Sequence, residues 1–329
     1  MALFFTRCAP LALTLILTLG GCVAGDTQTR HVEAIPSVAD RLESDVRVLS
    51  ERYAQRSANN RDQLNDSGLW IGQRFASMGY GVDTEPVPTA VGPKGFNVIA
   101  EVAGTLHPEQ IVVIGAHYDT ELHTPGADDN ASGVAVMLEL AARFARNPQA
   151  RTIRWIAYTN EEGSNSAGGA MGSYTNATNS KAKNEQIVAM LSLEMLGYFS
   201  DEPGSQRYPF PAEMANQLGM DLPTVGNYIG VVGRLVDRPL LEQVSSAMSG
   251  AGTIPVTQAA IPPLVTAIYR SDHANYWLRG YPAAMITDTS EYRNPHYHQR
   301  TDTAETLDYV RMSAAADALE AAARSLAND

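Results

Sequence analysis

Ile111-Val-Val-Ile-Gly-Ala-His117-Tyr-Asp119-Thr120 is the stretch that decides the fold. Its first half is continuously apolar and β-branched, the pattern of a strand buried on both faces, which is a strand of a parallel sheet. Its second half turns polar where such a strand would end. Ligands in open α/β sheets lie at the carboxyl ends of strands. The same arrangement recurs along the chain. Thr152–Tyr158 is apolar and runs into Asn160-Glu161-Glu162-Gly163, and Ile187–Leu193 is apolar and runs into Glu194. Ala283–Thr287 is a further short strand, and Phe96–Val102 another. Helical spacing of apolar residues marks Val38–Gln55, Asn60–Met78, Gly133–Phe144, Val236–Met248 and Leu307–Leu326. Strands alternating with helices predict an α/β sheet covered on both faces. The segment from Asp201 to Asn227 carries four prolines (Pro203, Pro209, Pro211, Pro223) and little periodicity, and reads as a long surface excursion.

Composition sets the outer limits. The 329 residues are 44% hydrophobic and 18% charged, an ordinary globular balance that excludes wholesale disorder. A formal net charge of −12 makes a phosphate-backbone binder a poor reading, so no nucleic-acid partner is expected. The two cysteines, Cys8 and Cys22, both lie in the first 22 residues, so the body of the chain can hold neither a disulfide framework nor a thiolate metal site.

The N-terminus accounts for those cysteines. Arg7 is followed by an apolar run, Ala9–Leu19, too short to span a bilayer but suited to the core of a secretory signal. Leu19-Gly20-Gly21-Cys22 then resembles a bacterial lipobox, in which cleavage leaves the cysteine first and lipidated. The expected organisation is a lipoprotein signal peptide over 1–21, a polar tether over 22–35 and one catalytic domain over 36–329. The expected location is the bacterial cell envelope, with export and a membrane anchor through Cys22.

Five clusters could carry chemistry. His117 and Asp119 are two residues apart in an extended segment, so both side chains point the same way and the carboxylate can hold the imidazole. Asp128 and Asp129 open the helix at Gly133; taken alone they read as N-terminal caps. Glu161 and Glu162 follow a buried strand, where adjacent unpaired charges are costly and a cation would relieve them. Glu194 is a single acid inside an apolar run. His296, His298 and Asp302 fall in Asn294-Pro-His296-Tyr297-His298-Gln-Arg-Thr-Asp302-Thr303, and His273 lies in Tyr269-Arg-Ser-Asp272-His273. Nitrogen and oxygen donors without thiolate suit catalytic zinc. No mature cysteine nucleophile, Gly-x-Ser-x-Gly elbow or phosphate-cradling loop competes with that reading.

Taken together and in this order, these segments resemble the co-catalytic di-zinc aminopeptidases of peptidase family 28. The resemblance spans roughly residues 95–310, with His117 twelve residues before Asp129. It implies a three-layer α/β/α domain with a mixed central sheet. It implies two Zn²⁺ ions, Asp129 bridging them, His117 and Glu194 completing one, and Glu162 and His298 the other. Glu161 would be the general base and Asp119 would orient His117, with Asp272 also behind the ligands. Tyr297 and Tyr269 are the two candidates for stabilising the oxyanion. The implied activity is hydrolysis of N-terminal peptide bonds by a water bridging the metals. A cis peptide at Asp129–Asn130 is a further family feature. A glutaminyl cyclase-like enzyme of the same fold needs only one metal, and a lipid-anchored interaction module without activity would have shed ligands. The chain departs from the family pattern in having Glu194 where many members have aspartate, and in the small residues Gly163-Ser-Asn-Ser-Ala-Gly-Gly169 after the glutamate pair.

Overall fold

The computed structural model describes residues 35–88, 92, 95–163, 170–217, 220, 222–262 and 264–329. The signal, Cys22 and nearly all of the tether therefore lie outside the described residues, as do residues 164–169 of the small-residue loop.

One mixed sheet of eight strands runs through Pro36–Asp329. In chain order the strands are β1 (Val82–Pro86), β2 (Phe96–Val102), β3 (His107–His117), β4 (Arg151–Tyr158), β5 (Gln186–Glu194), β6 (Ile229–Arg234), β7 (Val256–Ile261) and β8 (Ala283–Thr287). Their spatial order is β1-β2-β4-β3-β5-β8-β6-β7. The centre, β4-β3-β5-β8, is parallel. β2 runs antiparallel to β4, and β6 antiparallel to β8. This is the expected α/β architecture with a mixed sheet.

The period-2 alternation of β3 sorts the core into two layers. Val112, Ile114 and Ala116 face one cluster, together with Ile153 and Trp155 of β4. The helices α1 (Val38–Arg47), α2 (Arg61–Ser77), α3 (Gly133–Phe144), α6 (Arg238–Ala251) and α8 (Tyr309–Asn328) cover that face. Ile111 and Val113 face the other cluster, with Ile156 and Tyr158, under α4 (Gly172–Ala182) and α7 (His273–Trp277). A register shift in β5 opposite Ile111 and Val112 lets Ile187 and Ala189 point into opposite layers, as a bulge does. The short α5 (Ala212–Gln217) lies in the proline-rich excursion.

The sequence reading differs from the structure where hydrophobic patterning is weak. The Val38–Gln55 helix ends as α1 at Arg47 and continues as one wider π turn, Val48–Arg52. The helix read at Val236–Met248 begins at Arg238, after a 3₁₀ turn over Leu235–Asp237. The unread α4 is Gly-Ser-Tyr-Thr-Asn-Ala-Thr-Asn-Ser-Lys-Ala, with no apolar stripe to announce it. β1 is a mostly polar edge strand, which burial does not mark.

The chain leaves β3 for β4 on one side and returns to β5 on the other. The carboxyl end of β3 is therefore a topological switch point, and it carries His117.

Candidate metal centre

Four parallel strands deliver the site. β3 ends at His117, β4 ends three residues before Glu161, β5 ends at Glu194, and the loop beyond β8 carries His298. Asp129 enters from the turn Ala127–Ser132 that opens α3. Its peptide bond to Asn130 is cis, as the resemblance implies.

Asp129 splits its carboxylate between two groups. Oδ1 lies 3.3 Å from His117 Nε2, and His117 Nε2 lies 3.5 Å from Glu194 Oε2. Oδ2 lies 3.2 Å from His298 Nε2, which is 3.3 Å from Glu162 Oε1. His117, Asp129 and Glu194 bring ligand atoms within 4.8 Å of one another, while in the other half His298 lies between Asp129 and Glu162, with Glu121 also close to Glu162 and His298. Asp129 Oδ1 and His298 Nε2 are buried atoms without a hydrogen-bond partner. Buried polar atoms are almost always paired, so one such orphan in each half fits a cation held there. The donor set of nitrogen and carboxylate oxygen fits zinc.

Two further aspartates hold the acidic pairs by their backbones. Asp119 accepts from Glu161 N at 3.0 Å and from Glu162 N at 3.1 Å. Asp302 accepts from Asp128 N at 2.8 Å and from Asp129 N at 3.1 Å. The contact of Asp119 with His117 is looser. The imidazole Nδ1 is 3.2 Å from the Asp119 backbone oxygen and 3.7 Å from its carboxylate, too far for a hydrogen bond. Asp119 therefore shapes the site chiefly by anchoring the glutamate pair.

The neighbouring loops are stitched together just as closely. Asn130 donates to Leu193 O at 2.8 Å and accepts from Met195 N at 3.1 Å. Asp128, read from sequence as a cap, takes Gly197 N at 2.8 Å and Asn294 Nδ2 at 2.6 Å instead. A Cβ at Gly133 would come within 2.7 Å of Leu193 O, so this approach requires glycine. Three non-glycine residues at or beside the site adopt left-handed backbone: Asn160 (φ 59°), Met195 (φ 52°) and His298 (φ 57°). Such conformations cost on the order of 1–3 kcal/mol each and persist where surroundings enforce them.

Three further residues complete the surroundings. Ser271 donates to Glu194 Oε2 at 2.6 Å and so fixes that carboxylate. Asp302 is the backbone clamp just described. Arg56 is fully buried and donates only to backbone carbonyls, at Tyr118 (2.6 Å), Leu49 (2.9 Å), Pro125 (2.8 Å) and Gly126 (2.7 Å). It braces both loops that carry His117 and Asp129. Ser271 and Asp302 sit inside motifs legible in the sequence, whereas Arg56 stands in a polar stretch with no pattern around it. Asp272 is fully buried at the start of α7; burial pushes its carboxyl up to about 7, against the opposing pull of His117.

Proton affinities are displaced throughout. Burial by itself would lower His117, but Glu194, Asp119 and Asp129 outweigh it and hold the imidazole well above its usual value. His298 is likewise raised, to about 10, because Asp129 and Glu162 overcome burial. Burial and the Asp129 charge push Glu162 to about 8. Burial, with Glu162 and Glu194 adding to it against His117, raises Glu161 well above the carboxylate range. Asp129 is held below that range, its two histidines overcoming burial.

The site opens onto an apolar pocket lined by Tyr208, Phe210, Ile261, Met285 and Tyr297, with Glu194 at its metal end. The excursion over 201–227 thus supplies part of the wall. The two tyrosine candidates are separated by the structure. Tyr297 stacks on His298 with ring centroids 3.8 Å apart, and it lines the pocket. Tyr269 packs edge-on against Trp277 and does not line the pocket, because the 3₁₀ turn Thr266–Tyr269 directs it away. His273 is buried against Ile268 O and Trp277, and serves packing.

The model of Peptidase family M28 matches residues 97–323, which include every residue of both halves. The chain belongs to peptidase family M28. It is 38% identical to YfbL of Escherichia coli K12, over 87% of this chain and 89% of that one. It is 31% identical to leucine aminopeptidase 1 of Ajellomyces dermatitidis, over 66% of this chain and 52% of the relative, so it spans about half the length of that fungal enzyme. Its M28 fold matches that of a zinc aminopeptidase from Bacillus subtilis with a TM-score of 0.68, covering 90% of this chain and 97% of the other at 17% identity.

Proposed function

We propose that this protein is a zinc-dependent aminopeptidase that removes apolar N-terminal residues from peptides. The observation that carries the reading is the division of Asp129, one oxygen toward His117 and Glu194, the other toward His298 and Glu162. Membership of a peptidase family and relatives named as aminopeptidases support it. All five residues that the family pattern assigns to metal are gathered, which favours a hydrolase over a one-metal cyclase or an inactive interaction module.

In this reading His117, Asp129 and Glu194 hold one zinc ion, and His298, Asp129 and Glu162 the other. Zinc bound there supplies Lewis acidity, polarising a scissile carbonyl and making water more acidic near neutral pH. Glu161 takes the proton of the attacking water and passes it to the leaving amine. Its raised proton affinity suits the second half of that task. Glu194, one methylene longer than aspartate and fixed by Ser271, faces the pocket and receives the substrate's free ammonium. The apolar wall takes the first side chain, with Tyr208 and Phe210 contributing to selection. Tyr297, which stacks on His298 and lines the pocket, donates to the developing oxyanion in this reading.

Glu161→Gln keeps size but cannot carry a proton. It retains zinc and loses about 10²–10⁴-fold in turnover. Glu162→Gln removes an anionic ligand, so zinc content falls first and excess zinc restores part of the activity. Zinc analysis beside hydrolysis of aminoacyl chromogenic amides checks both. Loss of zinc from Glu161→Gln with retention by Glu162→Gln reverses the two roles, and near-normal turnover in both ends the peptidase reading.

The sequence features over 1–35 support export and a lipid anchor on Cys22. No helix among the described residues is long and apolar enough to cross a membrane. A diacylglyceryl adduct in the mass of the mature protein is the expected result, and an unmodified Cys22 would contradict it.

A further inference from the structure

Tyr297 is held from two directions. Its ring lies 22° from parallel with the His298 imidazole, which sets the plane of the phenol. Its hydroxyl oxygen receives a hydrogen bond from Arg270 Nη2 at 2.9 Å. The other arm of the same guanidinium pairs with Glu291. A guanidinium carries donors only, so the phenol oxygen must be the acceptor in this contact. That leaves the single proton of Tyr297 to be donated elsewhere, and no acceptor for it is present among the described residues. Arg270, Glu291 and Tyr297 all line the apolar pocket whose metal end is Glu194. The free O–H is thus the one uncommitted donor of a phenol fixed by stacking, beside the point where a scissile carbonyl would rest.

We propose that Arg270, held by Glu291, is a positioning residue for Tyr297. It occupies the phenol's lone-pair side, turns the O–H toward the carbonyl oxygen of the substrate, and strengthens that donor as negative charge develops. This inference rests on the aminopeptidase reading and deepens it, since it names what makes Tyr297 a donor rather than a pocket wall.

The test is a double-mutant cycle on zinc-loaded protein, following kcat and KM separately and zinc content alongside. Tyr297→Phe is expected to lower kcat about 10²-fold, the usual effect of removing one oxyanion donor, with zinc content unchanged. Arg270→Met is expected to lower kcat about tenfold with little change in KM, and Arg270→Lys to recover part of the loss. In the Tyr297→Phe background Arg270→Met should cost nothing more, because residues acting through one another are non-additive. Should Arg270→Met impair folding, Glu291→Gln loosens the guanidinium without removing it. It should lower kcat several-fold, an effect that likewise vanishes once Tyr297 is phenylalanine. Equal losses from Arg270→Met in both backgrounds, or a change confined to KM, overturn the proposal. Full activity of Tyr297→Phe while Glu161→Gln is inactive also overturns it but leaves the hydrolase standing. Full activity of both variants removes the hydrolase reading itself.

Discussion

The two halves of the metal centre are built from the same residue types but differ in depth. The His117 side chain is 1% exposed, at the end of a central strand between two packed helical layers. The His298 side chain is 32% exposed, on a loop beyond β8 in left-handed backbone. One half is thus part of the sheet's rigid centre and the other is carried by a loop. If each half holds an ion, the one in the deep half should exchange more slowly, because its ligands move only with the core, while the outer one follows a loop. The shared Asp129 couples them.

The sharpest way to break this comparison is to remove one imidazole at a time. His117→Ala should abolish turnover and destabilise the fold, since it leaves Glu194 and Asp129 as buried charges without their partner. His298→Ala should lower turnover about 10²-fold or more while one zinc ion stays bound. Zinc content and chelator-release kinetics check both; release that is equally fast for both ions in the wild type would erase the distinction between the halves. Acidity sharpens it further. His298 holds its proton up to about 10 and Glu162 up to about 8, and metal binding must displace such protons. Apparent affinity for the outer ion therefore rises with pH through neutrality, by about tenfold per unit for each proton released. Titrations at several pH values read this slope, and a flat response would contradict it.

A smaller effect is expected at the two backbone clamps. Asp302→Asn keeps shape but weakens two charge-assisted bonds to Asp128 and Asp129. It should cost about 10–100-fold in zinc affinity or turnover. Asp119→Asn should do the same through Glu161 and Glu162, with the larger effect on kcat because the base is one of the residues held. Comparing the two variants separates damage to the bridge from damage to the base; identical profiles would show that the clamps merely stabilise the fold.

These contrasts also show which parts of the molecule can be read from sequence. Ile111–Gly115 and Thr152–Tyr158 are legible because strands buried on both faces need continuous apolar runs, and the polar residues ending them stand out against that background. His117 and the Glu161-Glu162 pair stand at or just past those ends, while the roles expected of Asp129, Glu194 and His298 come from the family resemblance. Backbone-directed interactions leave no such trace. Arg56 donates to four carbonyls, and Asp302 accepts from two N–H groups; both depend on partners that any residue type provides. The sequence does not reveal that Tyr269 points to Trp277 while Tyr297 lies over His298, because the turn that separates them has no periodic signature. The polar α4 and edge strand β1 escape for the related reason that tertiary packing, not an apolar pattern, holds them in place.

The division of Asp129 between two sets of ligands is the central claim, and a zinc titration of the metal-free protein tests it most directly. The account predicts two zinc ions per chain, with Asp129→Ala weakening both together and His298→Ala removing one. A single ion per chain, or an Asp129→Ala protein that still binds two, would contradict it.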